Sequence, residues 1–230
     1  MFLEEGSDVN STAKYRVSAR ELRTWSSRPA LQLAAVRGNR DVVKFLIEAG
    51  ADLSTGDTGP SPLFLAAKCG HGSTLKYLLQ SGANIEQRDD RGWTALYRAA
   101  RSGKDVIVTI LITAGAIIEA KDQQGWSALH HAVEKGHGEM VLLLLSKGAD
   151  IDARANDGRS PLQIVSRMGS VHLISKGGRT KKHWKEPLLA KQKRDAALVR
   201  LLLEHNANVK MTNSNRLTAL HLAAADGTKQ

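Results

Sequence analysis

Residues 94–103 read Thr-Ala-Leu-Tyr-Arg-Ala-Ala-Arg-Ser-Gly, and this short stretch decides the fold. Its first residue, Thr94, carries a hydroxyl that can cap free backbone N–H groups at the start of a helix. Its last residue, Gly103, can adopt the left-handed conformation that closes a helix. The paired alanines, Ala99 and Ala100, allow a neighbouring helix to approach closely. The stretch therefore predicts a short helix that packs tightly against similar helices.

The same pattern recurs along the chain at a nearly constant interval. Copies start at Ala30, Pro62, Ala95, Ala128 and Pro161, with steps of 32 or 33 residues, and a sixth starts at Ala219 after 58. A closing glycine keeps the same interval at Gly38, Gly70, Gly103, Gly136 and Gly169. A Gly-Ala pair marks a later point of the copies that begin at residues 30, 62, 95 and 128, with Asn206-Ala207 as a variant. Three marks in register indicate a true internal repeat.

Each copy also predicts a second helix after the glycine. In the first copy, residues 41–49 place Val42, Val43, Leu46 and Ile47 on one stripe. A unit of about 33 residues cannot bury its apolar face alone, so the units are expected to stack. The fold class predicted from the residues is therefore all-α.

Short motifs within the repeats resemble those of a known family. They are Ser61-Pro62-Leu63, Thr94-Ala95-Leu96, Ser127-Ala128-Leu129-His130, Gly70-His71, Gly136-His137, Gly50-Ala51-Asp52, Gly82-Ala83-Asn84 and Gly148-Ala149-Asp150. The pattern resembles the ankyrin repeat family over roughly residues 26–228, except for one insertion. The resemblance implies a solenoid of stacked helix-turn-helix units with β-hairpin loops, and a concave surface that binds proteins. It also implies that His130 and His221 stabilise the turns at their helix starts.

The repeats predict two segments. Residues 1–25 form a partial repeat and an irregular N-terminal segment, with a longer loop or an extra helical turn around residues 15–25. Residues 26–230 form the repeat domain, with four regular repeats, a fifth carrying an insertion at 170–195, and a partial sixth. Neither end shows the polar cap that terminal repeats need. We expect a fragment of a longer array, and the alternative is that residues 18–25 fold back as a cap.

The insertion holds much of the positive charge of the chain. The net charge is +10, and residues 170–195 contain eight Lys or Arg and two acids. Its basic clusters comprise Lys181, Lys182, Lys191, Lys193 and Arg194. Two interpretations stay open: a nuclear-import or phosphate-contacting patch, and a solvated loop that tolerates insertion. Glu186-Pro187 is typical of a helix start, and we expect one continuous helix from there to about Glu204.

A candidate binding surface follows from the hairpin tips and the ends of the first helices. Trp93 and Trp126 lie at adjacent tips, where Trp is a favoured interface anchor; the alternative is that each packs on the neighbouring hairpin. One basic residue per repeat marks the helix ends. A positive stripe there would favour an acidic partner; the alternative is simple solvation of the exposed helix ends. The candidate partner-binding residues are Arg28, Arg37, Lys68, Arg91, Trp93, Tyr97, Arg98, Arg101, Gln124, Trp126, Lys135, Arg159 and Arg167.

The sequence predicts a binding protein and no enzyme, because no nucleophile, base and orienting group form a recognisable motif. It predicts no cofactor and no metal site, and Cys69 is the lone cysteine. The function expected is a protein–protein interaction scaffold or adaptor, with a protein partner that has an acidic segment. The alternatives are a nuclear or nucleic-acid-associated regulator and a regulatory segment of a larger enzyme. We expect a monomer without membrane association, located in the cytoplasm or the nucleus.

Overall fold

The computed structural model of the protein describes residues 12–15, 26–54, 59–168 and 185–227. Its elements group into two compact units, Met1–Ile117 and Ile118–Gln230. In both units short helices alternate in the order that the repeats predict, which confirms the all-α repeat fold. Among the described helices, none combines the length and apolar character that crossing a bilayer requires.

The first unit contains two strands and three helix pairs. The elements are β1 (Thr12–Tyr15), β2 (Ser26–Pro29), α1 (Ala30–Arg37), α2 (Arg40–Glu48), α3 (Pro62–Cys69), α4 (Gly72–Gln80), α5 (Ala95–Arg101) and α6 (Asp105–Thr113). Helix α3 packs between α1 and α5, and α4 packs between α2 and α6. Successive repeats in this unit therefore stack first helix on first helix and second helix on second helix.

Two short strands lie near the N-terminus, one of them within the segment 1–25. Strand β1 pairs antiparallel with β2, and Tyr15 lies opposite Ser26. The longer loop or extra helical turn predicted around residues 15–25 lies, apart from Tyr15, outside the described residues and stays a prediction. A strand pair satisfies backbone hydrogen bonds that an irregular segment would leave to water. The predicted cap at 18–25 and the partial repeat at 1–10 lie outside the described residues.

The second unit contains two helix pairs and one further helix. The elements are α7 (Ala128–Lys135), α8 (Gly138–Ser146), α9 (Pro161–Met168), α10 (Lys185–Glu204) and α11 (Ala219–Gly227). Helix α9 packs between α7 and α11, and α10 packs on α9. The helix predicted from Glu186-Pro187 to Glu204 is confirmed, since α10 spans 20 residues.

Local capping explains why these helices begin and end where they do. Ser61 Oγ accepts a hydrogen bond from the Phe64 N–H at 3.2 Å, and Thr94 Oγ1 accepts one from the Tyr97 N–H at 3.3 Å. Gly70 closes α3 with a φ of 86°, a left-handed conformation that favours glycine. These observations confirm the predicted helix boundaries at both kinds of cap.

Carboxylates fix the spacing between successive loops within each unit. Glu86 Oε1 accepts a hydrogen bond from the Ile117 N–H at 2.8 Å in the first unit. Glu119 Oε1 accepts one from the Asp150 N–H at 2.9 Å in the second unit. Each bond therefore joins the segment that follows the second helix of one repeat to the corresponding segment of the next repeat.

Candidate partner-binding site

The turn at residues 89–93 holds Trp93 in place through the side chain of Asp89. Asp89 Oδ1 accepts hydrogen bonds from the Arg91 N–H at 3.0 Å and the Trp93 N–H at 2.9 Å. The backbone closes the same turn, since the Gly92 N–H donates to the Asp89 carbonyl at 2.8 Å. Gly92 has a φ of 75°, which a side chain would make unfavourable. The turn therefore presents Trp93 in one fixed orientation.

Three arginines surround the ring of Trp93. The guanidinium carbons of Arg91, Arg101 and Arg98 lie 5.0, 5.4 and 5.8 Å from the ring centroid. Arg98 and Arg101 are three residues apart on α5, so they share one face of that helix. Distances of this size are in the range of cation–π attraction. We name these four residues the Trp93 cluster.

Burial and two neighbouring arginines disfavour the charged form of Arg98 within the Trp93 cluster. Burial lowers the pKa of Arg98, and the nearby charge of Arg101 lowers it further, with a smaller effect of Arg91. Tyr97 and Asp89 act in the opposite direction. The buried Arg98 Nε has no hydrogen-bond partner among the described residues. Because a guanidinium stays protonated at neutral pH, an anion bound here would relieve this repulsion.

The corresponding turn in the second unit has the same backbone but different neighbours. Asp122 Oδ1 accepts from the Gln124 and Trp126 N–H groups, both at 2.9 Å. The Trp126 ring lies 4.7 Å from the His131 ring, and Arg159 lies 5.9 Å from the Trp126 centroid. Among the described residues a single arginine faces this indole, in contrast to the three that lie around Trp93.

Acidic groups surround His131 beneath Trp126. His131 Nε2 lies 3.3 Å from Asp122 Oδ2, and His131 Nδ1 lies 3.7 Å from Glu134 Oε2. Burial lowers the pKa of His131, and both carboxylates oppose that shift. Glu134 also lies 3.3 Å from Lys135 Nζ. The second tip is therefore locally compensated and is a poor site for an anion.

A comparison with known proteins places the chain in a family. The family model described as ankyrin repeats in three copies matches residues 1–89 and 81–155. The chain belongs to the ankyrin repeat family. A human relative, ankyrin repeat domain-containing protein 63, is 35% identical over 92 residues. That match covers 40% of this chain and 21% of the relative, so the chain spans about a fifth of the relative's length.

The turn role expected for the ankyrin histidine is confirmed at His130. The Ser127 N–H donates to His130 Nδ1 at 3.1 Å, and His130 Nε2 lies 3.3 Å from the Arg159 carbonyl. These contacts require a neutral ring that carries its proton on Nε2. Burial lowers the pKa of His130 to about 4, which keeps the ring neutral. His221 makes the equivalent contact with Thr218, where its Nδ1 lies 2.7 Å from Oγ1.

Tyr97 has a different place from the one predicted. It was predicted to contact a partner, but it is only 3% exposed and stacks beneath Trp93. Tyr97 belongs to the largely buried helix α5, in which Ala95, Leu96, Ala99 and Ala100 are also buried. Tyr97 therefore supports Trp93 and offers almost no surface of its own.

The other predicted surface residues lie at exposed or half-buried positions of the ankyrin units. In the first unit Arg37 and Lys68 end α1 and α3. In the second unit Gln124 and Arg167 are exposed, and Arg159 forms an ion pair with Asp157. The backbone of Arg28 lies in β2, and its side chain is outside the described residues. Their roles in binding stay predictions.

The basic insertion is only partly within the described residues. Lys193 and Arg194 are exposed on α10, and Arg194 Nε lies 3.8 Å from Asp195 Oδ1. Lys181 and Lys182 lie outside the described residues, as does the side chain of Lys191. A role for this segment in nuclear import or nucleic-acid binding stays a prediction.

The sequence analysis did not identify two kinds of structurally important residue. Asp89 and Asp122 hold the tips, and the recurrence of Asp-x-x-Gly-Trp at 89–93 and 122–126 is the signal that marks them. Asp195 was counted only as an acid within the basic insertion, yet the residue is buried, with 4% of its surface exposed. Asp195 lies 12 residues before Ala207, as His71 lies before Ala83 and Lys104 before Ala116, so counting back from the alanine would have marked its position.

Proposed function

We propose that this ankyrin repeat protein is an interaction scaffold, and that an acidic segment of its partner docks at the Trp93 cluster. Ankyrin repeats are generally protein–protein interaction modules, and that coarser statement holds for this chain through its family. One observation carries the finer proposal: three guanidinium groups lie between 5.0 and 5.8 Å from the centroid of one indole ring.

A carboxylate suits this site on chemical grounds. Guanidinium groups bind carboxylates through short, charge-assisted hydrogen bonds, often two at once. Among the described residues Arg98 Nε has no hydrogen-bond partner, and a movement of its buried side chain toward the surface would let it donate to an incoming oxygen. The anion would also reduce the mutual repulsion that lowers the pKa of Arg98. The half-buried Trp93 ring adds apolar contact area, which is typical of interface anchors.

A short acidic peptide suits the site better than a nucleic acid. Asp90 is exposed and Asp89 is half-buried beside the cluster. A continuous phosphate backbone would pass both carboxylates, whereas one Asp or Glu side chain can approach the arginines from a single direction. The observed charges therefore favour a discrete carboxylate within a protein segment.

A peptide array tests the proposal directly. Peptides with one or more Asp or Glu are each paired with the Asn or Gln version, and fluorescent full-length protein is applied. The triple variant Arg91→Gln/Arg98→Gln/Arg101→Gln should lose the preference for acidic peptides, with binding at least tenfold weaker. A tenfold loss corresponds to about 1.4 kcal/mol.

A charge-matched control separates local binding from net charge. The variant Lys44→Gln/Lys76→Gln/Lys147→Gln removes three charges from exposed positions that do not belong to the cluster, in α2, in α4 and just after α8. It should keep the acidic preference. The proposal fails if both triple variants lose binding equally, or if the arginine variant loses affinity for duplex DNA and for no peptide.

A further inference from the structure

Arg98 occupies a helix position that most other repeats fill with an apolar residue. The fourth residue of the first helix is apolar in four of the six repeats: Leu33, Leu65, Ile164 and Leu222. Leu65 and Ile164 are only 2% and 3% exposed. Arg98 is half-buried at this position, where burial lowers its pKa and its Nε has no hydrogen-bond partner among the described residues. A leucine would suit the packing better, and such a departure from what the fold needs is typical of a functional position.

The repeat does not require arginine at the other positions of the Trp93 cluster either. In the next repeat, 33 residues later, the positions of the three arginines hold Gln124, His131 and Glu134. That repeat forms the same turn, with the same pair of hydrogen bonds to an aspartate side chain. Since the turn and its helix form without arginine, a ligand explains the three arginines around Trp93 better than folding does.

The charge of this tip matches a dianion better than a single carboxylate. Residues 88–101 contain four arginines, two aspartates and no other charged side chain, so their net charge is +2. One carboxylate would leave half of that charge uncompensated. A phosphorylated side chain carries a charge of about −1.5 to −2 at pH 7. It would therefore neutralise the tip almost completely.

The number of guanidinium groups also exceeds what one carboxylate engages best. A carboxylate has two oxygens, and a single arginine can engage both through parallel hydrogen bonds. A phosphate group presents three oxygens, so it can accept hydrogen bonds from more than one arginine at once. Three guanidinium carbons lie within 5.8 Å of the Trp93 ring centroid, and Arg91 is exposed. The Trp93 cluster thus places several charged donors around one point.

We propose that the acidic segment bound at the Trp93 cluster carries a phosphorylated side chain, whose phosphate is shared by Arg91, Arg98 and Arg101. The inference rests on the proposed function, because it names the anion that the same site selects. Phosphorylation of the partner would then turn binding on without any change in this chain.

Degenerate peptide libraries test which anion the site selects. Five immobilised libraries share random flanking residues and differ at their fixed centre, which is serine, phosphoserine, phosphotyrosine, glutamate or a pair of glutamates. The glutamate pair matches the charge of a phosphate dianion. The labelled full chain should bind the phosphoserine or the phosphotyrosine library at least tenfold more tightly than the single-glutamate library. It should bind the same library at least fivefold more tightly than the glutamate pair.

A substitution borrowed from another repeat keeps the test independent of folding. Arg98→Leu introduces the residue that α3 carries at the equivalent position, so the variant should unfold at a temperature no lower than the natural chain. Its preference for the phosphorylated library over the single-glutamate library should fall from at least tenfold to about threefold or less. The matched control Arg167→Gln removes one exposed positive charge from α9 and should keep the full preference.

The outcomes separate this inference from the proposed function. Equal binding of the glutamate-pair library and the phosphorylated libraries overturns the inference and leaves the proposed function in place, because carboxylates would then suffice. Failure of every acidic or phosphorylated library to exceed the serine library overturns both. A phosphopeptide preference that Arg98→Leu does not reduce also overturns the inference, as does tighter binding of duplex DNA than of any phosphopeptide.

Discussion

Trp93 lies almost parallel to Tyr97, with the ring centroids 4.5 Å apart and 22° between the planes. This stack gives the arginine-lined indole a rigid base, because Tyr97 is itself buried in α5. We predict that Tyr97→Ala lowers the free energy of unfolding by about 3 kcal/mol, the usual cost of removing a buried aromatic ring. Urea unfolding followed by far-UV circular dichroism measures it.

The conservative variant Tyr97→Phe serves as the control for this stack. It keeps the ring and should cost less than about 1.5 kcal/mol, the range of a single hydrogen bond. It should also preserve binding of acidic peptides. Equal destabilisation by both variants would show that the hydroxyl, and not the stacked ring, supports Trp93.

A second prediction concerns pH and His130. The unfolded chain protonates this ring near pH 6.5, whereas the folded chain protonates it only near about 4. Between these values the unfolded state binds more protons, so stability falls as the pH is lowered through that window. The expected loss between pH 7 and pH 4.5 is about 2 to 3 kcal/mol from this residue.

The variant His130→Gln isolates this contribution from other titrating groups. The chain already uses Gln163 in the same role, where Oε1 accepts from the Ser160 N–H at 3.0 Å and Nε2 donates to the Leu217 carbonyl at 2.8 Å. The variant should fold and should lose less stability than the natural chain at pH 4.5 in urea titrations. If the natural chain and the variant lose the same free energy of unfolding between pH 7 and pH 4.5, the role assigned to His130 is wrong.

A third prediction compares two glycines of the second unit. Both have left-handed backbone, with φ of 76° at Gly125 and 89° at Gly148. A Cβ on Gly125 would collide with the Asn156 side chain and stand 2.6 Å from its backbone nitrogen, whereas one on Gly148 would meet nothing. Gly148→Ala should cost about 1 kcal/mol from backbone strain alone. Gly125→Ala should cost about 3 kcal/mol, and similar thermal unfolding of the two variants would refute this difference.

A fourth prediction concerns the carboxylate at the tip. Asp89→Asn should keep the turn, because Asn213 makes the same two hydrogen bonds to Asn215 and Leu217, both at 3.0 Å. It also removes a negative charge that faces Arg98. Affinity for an acidic peptide should therefore rise by about two- to fivefold at low salt, with the gain lost at high salt. Unchanged affinity at low salt would show that Asp89 does not influence the ligand.

The repeat architecture was predictable because each repeat carries its own local signals. Ser61 and Thr94 cap helices whose apolar positions recur at a fixed interval, so elements and order followed from the residues. Helix α10 was predictable for the same reason, from its Glu-Pro start. The paired strands were not, since four residues such as Thr12–Tyr15 carry no decisive pattern and need a distant partner.

The candidate sites were less predictable because they depend on side-chain direction. The two tips share the spacing Asp-x-x-Gly-Trp, yet three arginines face Trp93 while His131 and Arg159 face Trp126. Leu220 occupies the same helix position as the five buried leucines of the earlier repeats, yet it is exposed because no described helix packs over it. Sequence periodicity records which residues a repeat needs, but not which neighbour covers them.

The most direct test of the central claim is a double-mutant cycle between Arg98 and one ligand carboxylate. Calorimetric dissociation constants are measured for the natural chain and Arg98→Gln, each with an acidic peptide selected on the array and with its Gln version. We predict a coupling free energy of about 1 to 2 kcal/mol between Arg98 and the carboxylate, since a direct contact makes the effects of the two substitutions non-additive. Strictly additive effects for every selected carboxylate would contradict docking at the Trp93 cluster.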